Sequence, residues 1–350
     1  MRFETVSLSD VVATTAWDDY VSRHPRATPC HLSAWLWAIH ATYSFEPLLY
    51  TVKDDGDALQ GVFPLFRIRG AFTGVRVVSL PFSDYGGPLC NDQIVEEELV
   101  RHVRGECQNG IRYLEIRGGL ARPGDLLPYN YYKRHVMDLR AGIGALQNKI
   151  DKKTIQYSIR KAEKAGVVIK QDNTRAGLEA FYRLNNLTRR KHGVPSQPHA
   201  FFENLYSRMI AAKMGFILVA EHDSTVAAAS LFLTVARQIH YKYNASDPAL
   251  LKKLSPNHLL TWHVILWGVE NGYQSLDFGR TSPDNQGLIR YKNMWGMEDQ
   301  DIPYYYYPRV KGAVATKESG ISYRLATSMW RHLPLPVMEF SSSILYKHLG

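Results

Sequence analysis

Residues 49–66 read LYTVKDDGDALQGVFPLF, and residues 218–233 read LVAEHDSTVAAASLFL. Each is an apolar strand, an acidic turn and a second apolar strand, the pattern of a β-hairpin. The next step of the chain is also repeated. Residues 95–119 (VEEELVRHVRGECQNGIRYLEIRGG) and 258–280 (HLLTWHVILWGVENGYQSLDFGR) each read as a helix, an Asn-Gly stop and a strand. Asn-Gly suits the left-handed conformation that ends helices. Matched segments lie roughly 160–170 residues apart and keep their order, so two matches in register argue for a duplicated α/β unit. The expected organisation is a first half over 1–144, a connecting helix over 145–170, a second half over 171–310 and a tail over 311–350.

The connecting segment, ALQNKIDKKTIQYSIRKAEKAGVVIK, places Leu146, Ile150, Ile159 and Ala162 at helical spacings, with Gly166 as its stop. It is the densest basic stretch of the chain. Its cations, among them Arg160, Lys161 and Lys164, either form a solvated helix face or contact a phosphate-bearing substrate. The whole chain of 350 residues carries a formal charge of +9. Such an excess fits nucleic acid, an anionic membrane surface or simply a basic enzyme.

Several classes are set aside. The N-terminal stretch MRFETVSLSDVVATTAWDDY carries four acidic residues and no uninterrupted apolar run, unlike a secretory signal. HLLTWHVILWGV, one of the longest apolar stretches, is too short to span a bilayer. The three cysteines are odd in number and widely spaced, which argues against a disulfide framework and for a reducing cytoplasm. The sequence contains no HExxH or paired CxxC, so no metal site is expected. His258 and His263 are five apart, off one helix face, and there is no GxSxG elbow or Walker loop. The tail mixes Trp330, apolar residues and cations around two prolines, so it can lie in a membrane interface or fold back on the protein.

SLPFSDYGGPL (79–89), SIRKAEKAGV (158–167), SPNHLLTWHVILWGVENG (255–272), LDFGRTS (276–282) and YKNMWG (291–296) together resemble the FemAB-like branch of the GNAT acyltransferase superfamily. The resemblance is greatest to the subgroup found beside exopolysaccharide and exosortase clusters in bacteria, and it runs from about residue 30 to 310. It implies an α/β fold of two tandem GNAT-like domains. It also implies transfer of an amino acid from aminoacyl-tRNA to an amine of a peptidoglycan precursor. Two features depart from the pattern. No segment is long enough for the coiled-coil arm of well-studied relatives. Neither half carries the Gly-rich [RQ]xxGx[GA] turn with which acetyl-CoA-using members hold pyrophosphate.

Aminolysis of an ester or thioester needs positioning and oxyanion stabilisation rather than a covalent nucleophile. The resemblance places Lys292, in YKNMWG, near the transferred acyl group; Tyr291 of the same motif and Asn257 of SPNHLL are candidate substrate contacts. A surface lysine is the alternative for Lys292. Arg280 can fork onto a phosphate or carboxylate, or pair with Asp277 or Asp284. In the SDYGGP turn, Asp84 can orient or deprotonate an amine and Tyr85 can bond a muropeptide or sugar. Gly86 and Gly87 would shape that turn, which can equally be purely structural. Tyr241 and Tyr243 alternate along a strand with Lys242 between them, so both are expected on one face, lining a cleft or a wet core edge.

The expectation is therefore an acyltransferase acting on an amine of a lipid-linked or soluble cell-envelope precursor. It would work without a cofactor, in the cytoplasm, with possible peripheral contact at the inner membrane face. Its donor is aminoacyl-tRNA or acyl-CoA, and its acceptor is expected in a cleft between the halves. An acyl-CoA- or acyl-carrier-dependent N-acyltransferase of exopolysaccharide synthesis and a non-catalytic GNAT-like binding module are the alternatives.

Overall fold

The computed structural model describes residues 1–71, 74–107, 110–308, 330–331 and 333–349, without the side chains of 129–131, 335, 336 and 349. The described residues fall into two compact units, one of 1–132, 301–308 and 344–349, the other of 133–300, 330–331 and 333–343.

The first unit opens with β1 (Arg2–Val6), α1 (Val11–Arg23) and α2 (Ser33–Tyr43). There follow β2 (Glu46–Lys53), β3 (Leu59–Gly70), β4 (Gly74–Ser79), β5 (Leu89–Cys90), α3 (Gln93–Glu106) and β6 (Tyr113–Arg117). β1, β2, β3 and β4 pair antiparallel in that order, and β6 lies parallel to β4. The last strand is Tyr304–Tyr307, the end of β13 (Glu298–Tyr307), antiparallel to β6. Its four tyrosines alternate as a strand must. Tyr305 joins the core under α3 with Leu99, Leu114 and Ile116, while Tyr304 and Tyr306 pack with Tyr113 on the other face.

The second unit repeats this plan. Its elements are α4 (Ile143–Lys149), a π-helical turn (Lys152–Gln156), α5 (Tyr157–Lys164), β8 (Val168–Gln171), α6 (Arg175–His192) and α7 (His199–Leu205). Then come β9 (Gly215–His222), β10 (Thr225–Val235), β11 (Gln238–Ser246), α8 (Pro248–Leu254), α9 (Pro256–Glu270), β12 (Ser275–Thr281) and α10 (Gln286–Asn293). β8 to β11 pair antiparallel in order, β12 is parallel to β11, and residues 133–138 of β7 (Pro128–Asp138) close the sheet against β12. The two six-strand patterns are the same in order and sense, which bears out the duplicated α/β plan. The strand that follows each repeat in the chain closes the sheet of the other unit. Residues 133–144 therefore lie in the second unit and 304–307 in the first.

The connecting stretch is a broken helix rather than one rod. Leu146, Ile150, Ile159 and Ala162 are buried in the second core, and Gly166 ends α5 at φ +77°. α9 is apolar almost all round and is a core helix, packed on β9 and β10. It ends at Asn271, with Gly272 rather than Asn271 taking the left-handed turn at φ +70°. Asn109, the other expected stop, lies outside the described residues, as do 311–329 of the tail; helix α11 (Leu335–Leu349) is described. All three cysteines are buried free thiols, and among the described residues no helix is long and apolar enough to cross a membrane.

Candidate active site

In each unit the two parallel strands pair over only three residues, Arg76–Val78 with Tyr113–Glu115 and Gln238–His240 with Ser275–Asp277. In the second unit β11 runs on to Ser246 and β12 to Thr281 without pairing to each other, which opens the sheet at their carboxyl ends, whereas in the first β4 ends one residue further on, at Ser79. This is where α/β sheets place ligands.

In the second unit the opening is shaped by a bulge. Leu231 faces Tyr243 and Phe232 faces Tyr241, so Lys242 is the extra residue of a bulge in β11. The bulge corrects the expected common face of the two tyrosines. Tyr241 turns toward α9, packs on Phe232 and Phe278, and its hydroxyl meets Ser230 Oγ at 3.0 Å and Asn244 Nδ2 at 2.9 Å. Burial pushes its pKa up. Tyr243 turns to the other face, wedges between Phe181 and Phe202, and donates to Gln197 Oε1 at 2.5 Å. An extra strand residue reverses the alternation for everything after it.

Lys292 lies on α10, only 5% exposed, which removes the surface alternative. Its Nζ donates to the carbonyls of Phe278 at 2.6 Å and Gly279 at 3.0 Å, fixing an ammonium at the end of β12. Burying an ammonium is costly, so such a charge commonly marks a functional site. Phe278 and Gly279 fall where the β12–β7 ladder slips, opposite His135. His135 carries no signal in the sequence beyond being a lone histidine in a strand. It is fully buried, and neither ring nitrogen makes a well-formed hydrogen bond. Burial first and the Lys292 ammonium second lower its pKa to about 4, against the opposing pull of Asp299 and Asp277.

Arg280 is half-buried on β12, across from Arg134. The buried Asp277 carboxylate is held by Arg134 Nε at 2.9 Å and by the Gly279 N–H at 2.7 Å, with His240 Nδ1 at 3.7 Å. Asn257 stands in the first turn of α9. Its Nδ2 reaches Ser246 Oγ at 3.5 Å, and its buried Oδ1 has no hydrogen-bond partner. Ser255 before it sits at φ +53° and does not cap the helix, so α9 begins with Pro256 and no side-chain acceptor on its N–H groups. His258 packs edge-on to Tyr291 and stacks on Trp295, and its Nδ1 is buried without a partner. Tyr291 is held far above its usual pKa by burial. Tyr241, Asn257, Tyr291 and Lys292 thus gather around the start of α9 and the end of β12. Tyr243 does not join them.

The basic residues of α5 divide. Arg160 and Lys164 are exposed one turn apart, while Lys161 donates to the Lys252 carbonyl at 2.6 Å near the end of α8.

In the first unit the loop after β4 is held in place from several sides. Leu80 and Phe82 take left-handed conformations at φ +46° and +61°, which side chains other than glycine rarely adopt. The Tyr304 hydroxyl donates to the Asp84 carbonyl, Gly86 N–H to the Arg117 carbonyl at 2.8 Å, and His31 Nε2 lies 3.0 Å from the Gly87 carbonyl. A Cβ on Gly86 would stand 2.2 Å from Leu80 Cδ1, so the loop admits no side chain there. Asp84 and Tyr85 are half-buried on this fixed loop.

Residues 151–293 match the family model of the acetyltransferase (GNAT) domain. No curated protein matches the sequence. Among solved structures, FemX is similar at 15% identity and a TM-score of 0.68, over 88% of this chain and 97% of that one. The C-terminal domain of a putative lysylphosphatidylglycerol synthetase from Agrobacterium fabrum is similar at 11% identity and a TM-score of 0.59, over 85% and 92%. A tandem GNAT protein from the clavulanic acid biosynthesis pathway is similar at 13% identity and a TM-score of 0.51, over 87% and 97%. The six-strand pattern found twice and these likenesses lead to one conclusion: the chain carries the GNAT acyltransferase fold twice, in tandem.

Proposed function

We propose that the protein is a Fem-type acyltransferase that moves an aminoacyl group from an ester donor, aminoacyl-tRNA, onto an amine of a lipid-linked or soluble cell-envelope precursor. The observation that carries this reading is the buried Lys292 ammonium, held at the open end of β12 beside the uncapped start of α9. In the reaction the acceptor amine attacks the donor carbonyl, a C–N bond forms and the C–O bond of the ester breaks. Charge builds on the carbonyl oxygen, where a fixed ammonium stabilises it without reorganising. The proton released by the amine goes to bulk water, and the leaving alkoxide takes up a proton. The start of α9, with Asn257, attracts an anionic part of the donor through the helix dipole. Arg280 offers a fork for phosphate or carboxylate, and Tyr241 and Tyr291 shape the pocket. Arg160 and Lys164 would add phosphate contacts along α5.

A second reading keeps the chemistry and changes the donor to an acyl-CoA thioester. It is favoured by the match of 151–293 to the acetyltransferase domain and by the open helix start, which can take a pyrophosphate. Titration with charged tRNA and with acyl-CoA at two salt concentrations separates the two. Charged-tRNA binding that weakens steeply with salt supports the first reading. Saturable CoA binding with only weak, non-specific RNA binding overturns it in favour of the second.

A further inference from the structure

Helix α11 buries one side and exposes apolar side chains on another. Its inner side buries Met338 and Ser342, and its Glu339 carboxylate accepts from Asn186 Nδ2 of α6 at 2.6 Å. On the outer side Val337, Phe340 and Ile344 are 48%, 72% and 51% exposed. Their spacing of three and four residues, at about 100° per residue, gathers them into one stripe roughly 60° wide, and the exposed Lys347 extends it. Single exposed apolar side chains need no explanation, but a phenylalanine flanked by valine and isoleucine in one stripe does.

The surroundings of the stripe are basic. Arg331 precedes the helix, and α6 ends in Arg189, Arg190, Lys191 and His192, about one turn beyond the Asn186 that holds Glu339. Burial, then the charges of Lys191, Arg189 and Arg331, hold the His192 imidazole below its usual pKa, which brings Arg331 into the same basic group. Apolar side chains accompanied by lysine and arginine fit a bilayer better than a protein partner. Protein interfaces are depleted in lysine, whereas interfacial helices combine aromatic and branched residues with lysine and arginine.

We propose that the outer stripe of α11 is a docking surface for an anionic phospholipid bilayer, with Val337, Phe340 and Ile344 entering the headgroup–acyl boundary and the neighbouring cations meeting lipid phosphates. Each cation near such a surface adds about fivefold to partitioning and the apolar stripe supplies the rest, so the attachment is reversible and sensitive to salt. This inference is independent of the donor and acceptor proposed above.

The test is flotation of the full chain with vesicles of phosphatidylglycerol and phosphatidylcholine, against phosphatidylcholine alone, at low and high salt. The wild type is expected to float with the anionic vesicles and to partition about tenfold less with neutral ones or at high salt. Phe340→Glu/Ile344→Glu should lose the anionic-vesicle binding by about tenfold or more with an unchanged melting curve, since both side chains are exposed. Arg189→Glu/Lys191→Glu provides a second variant that leaves the stripe intact and should lose only the preference for anionic lipid. Failure of the wild type to float with anionic vesicles overturns the proposal, as does equal flotation of all three proteins. So does a wild-type dimer in sedimentation velocity that Phe340→Glu/Ile344→Glu converts to monomer, because the stripe would then belong to a second copy.

Discussion

The two units carry the same strands and helices but treat the start of the equivalent helix in opposite ways. In the first, Asp92 caps α3, accepting from the Ile94 and Val95 N–H groups at 2.8 and 2.9 Å. A carboxylate already occupies the anion-attracting end. In the second, Ser255 does not cap α9, and the buried Oδ1 of Asn257 lies beside the open turn without a partner. The buried cations differ as well. Arg117 pairs with Glu115 at 2.6 Å, whereas Lys292 donates to the Phe278 and Gly279 carbonyls. Duplication supplied two sites of one geometry. The first holds a rigid loop carrying Asp84 and Tyr85, and the second has an uncapped helix start and a buried lysine.

The contrast can be broken most forcefully at Lys292. Lys292→Ala should lower the single-turnover rate of acyl transfer about 10²–10³-fold, the loss expected for one preorganised oxyanion donor, with a much smaller change in donor affinity. A variant with an unchanged rate would leave the second unit without its distinguishing charge. Next in size is the rigid loop of the first unit. Gly86→Ala forces a Cβ against Leu80 and should destabilise by about 1–3 kcal/mol, read as a lower urea midpoint.

The helix ends give a smaller but sharper pair. Asn257→Asp puts a carboxylate at the open start of α9, so donor affinity should fall about tenfold while stability is equal or slightly higher. Asp92→Ala should do the reverse, costing about 1 kcal/mol of stability with donor affinity unchanged. Equal behaviour of the two variants in calorimetric titration would erase the distinction between the units.

A further check is a pH slope from His135. Its folded pKa of about 4 lies below the unfolded value of 6.5, so the unfolded chain takes up the proton first as pH falls. The stability this neutral imidazole contributes is fully present above pH 6.5 and is lost as pH falls toward about 4. Urea midpoints of the wild type should therefore drop faster between pH 7 and 4.5 than those of His135→Asn. Parallel slopes would show that the imidazole does not resist protonation.

Much of this architecture is readable in the sequence because it is local. The paired hairpins at 49–66 and 218–233, the apolar helix at 256–270 and the turn glycines Gly166 and Gly272 each follow from period or backbone preference. The exchange of closing strands leaves no such trace, since Tyr304–Tyr307 reads as a strand but says nothing of its partner. Lys242 shows why the face of Tyr243 was misread. A bulge is defined by the count of residues on two strands, and no glycine marks it here. The motif around Lys292 pointed to its neighbourhood, but not to its burial, which depends on the slip between β12 and β7. His135 was invisible for the same reason, lying opposite that slip.

The exchanged strands also impose a timetable on synthesis. β6 leaves the ribosome with one edge unpaired, and the segment that covers it, Tyr304–Tyr307, is made about 190 residues later, roughly 10–40 s at ordinary bacterial elongation rates. Through that interval the first unit is a nascent sheet with an exposed edge, the feature most prone to pairing with a neighbouring chain. A stop codon placed after the second repeat but before residue 304 would thus release a polypeptide whose first unit, although fully translated up to β6, remains open to aggregation.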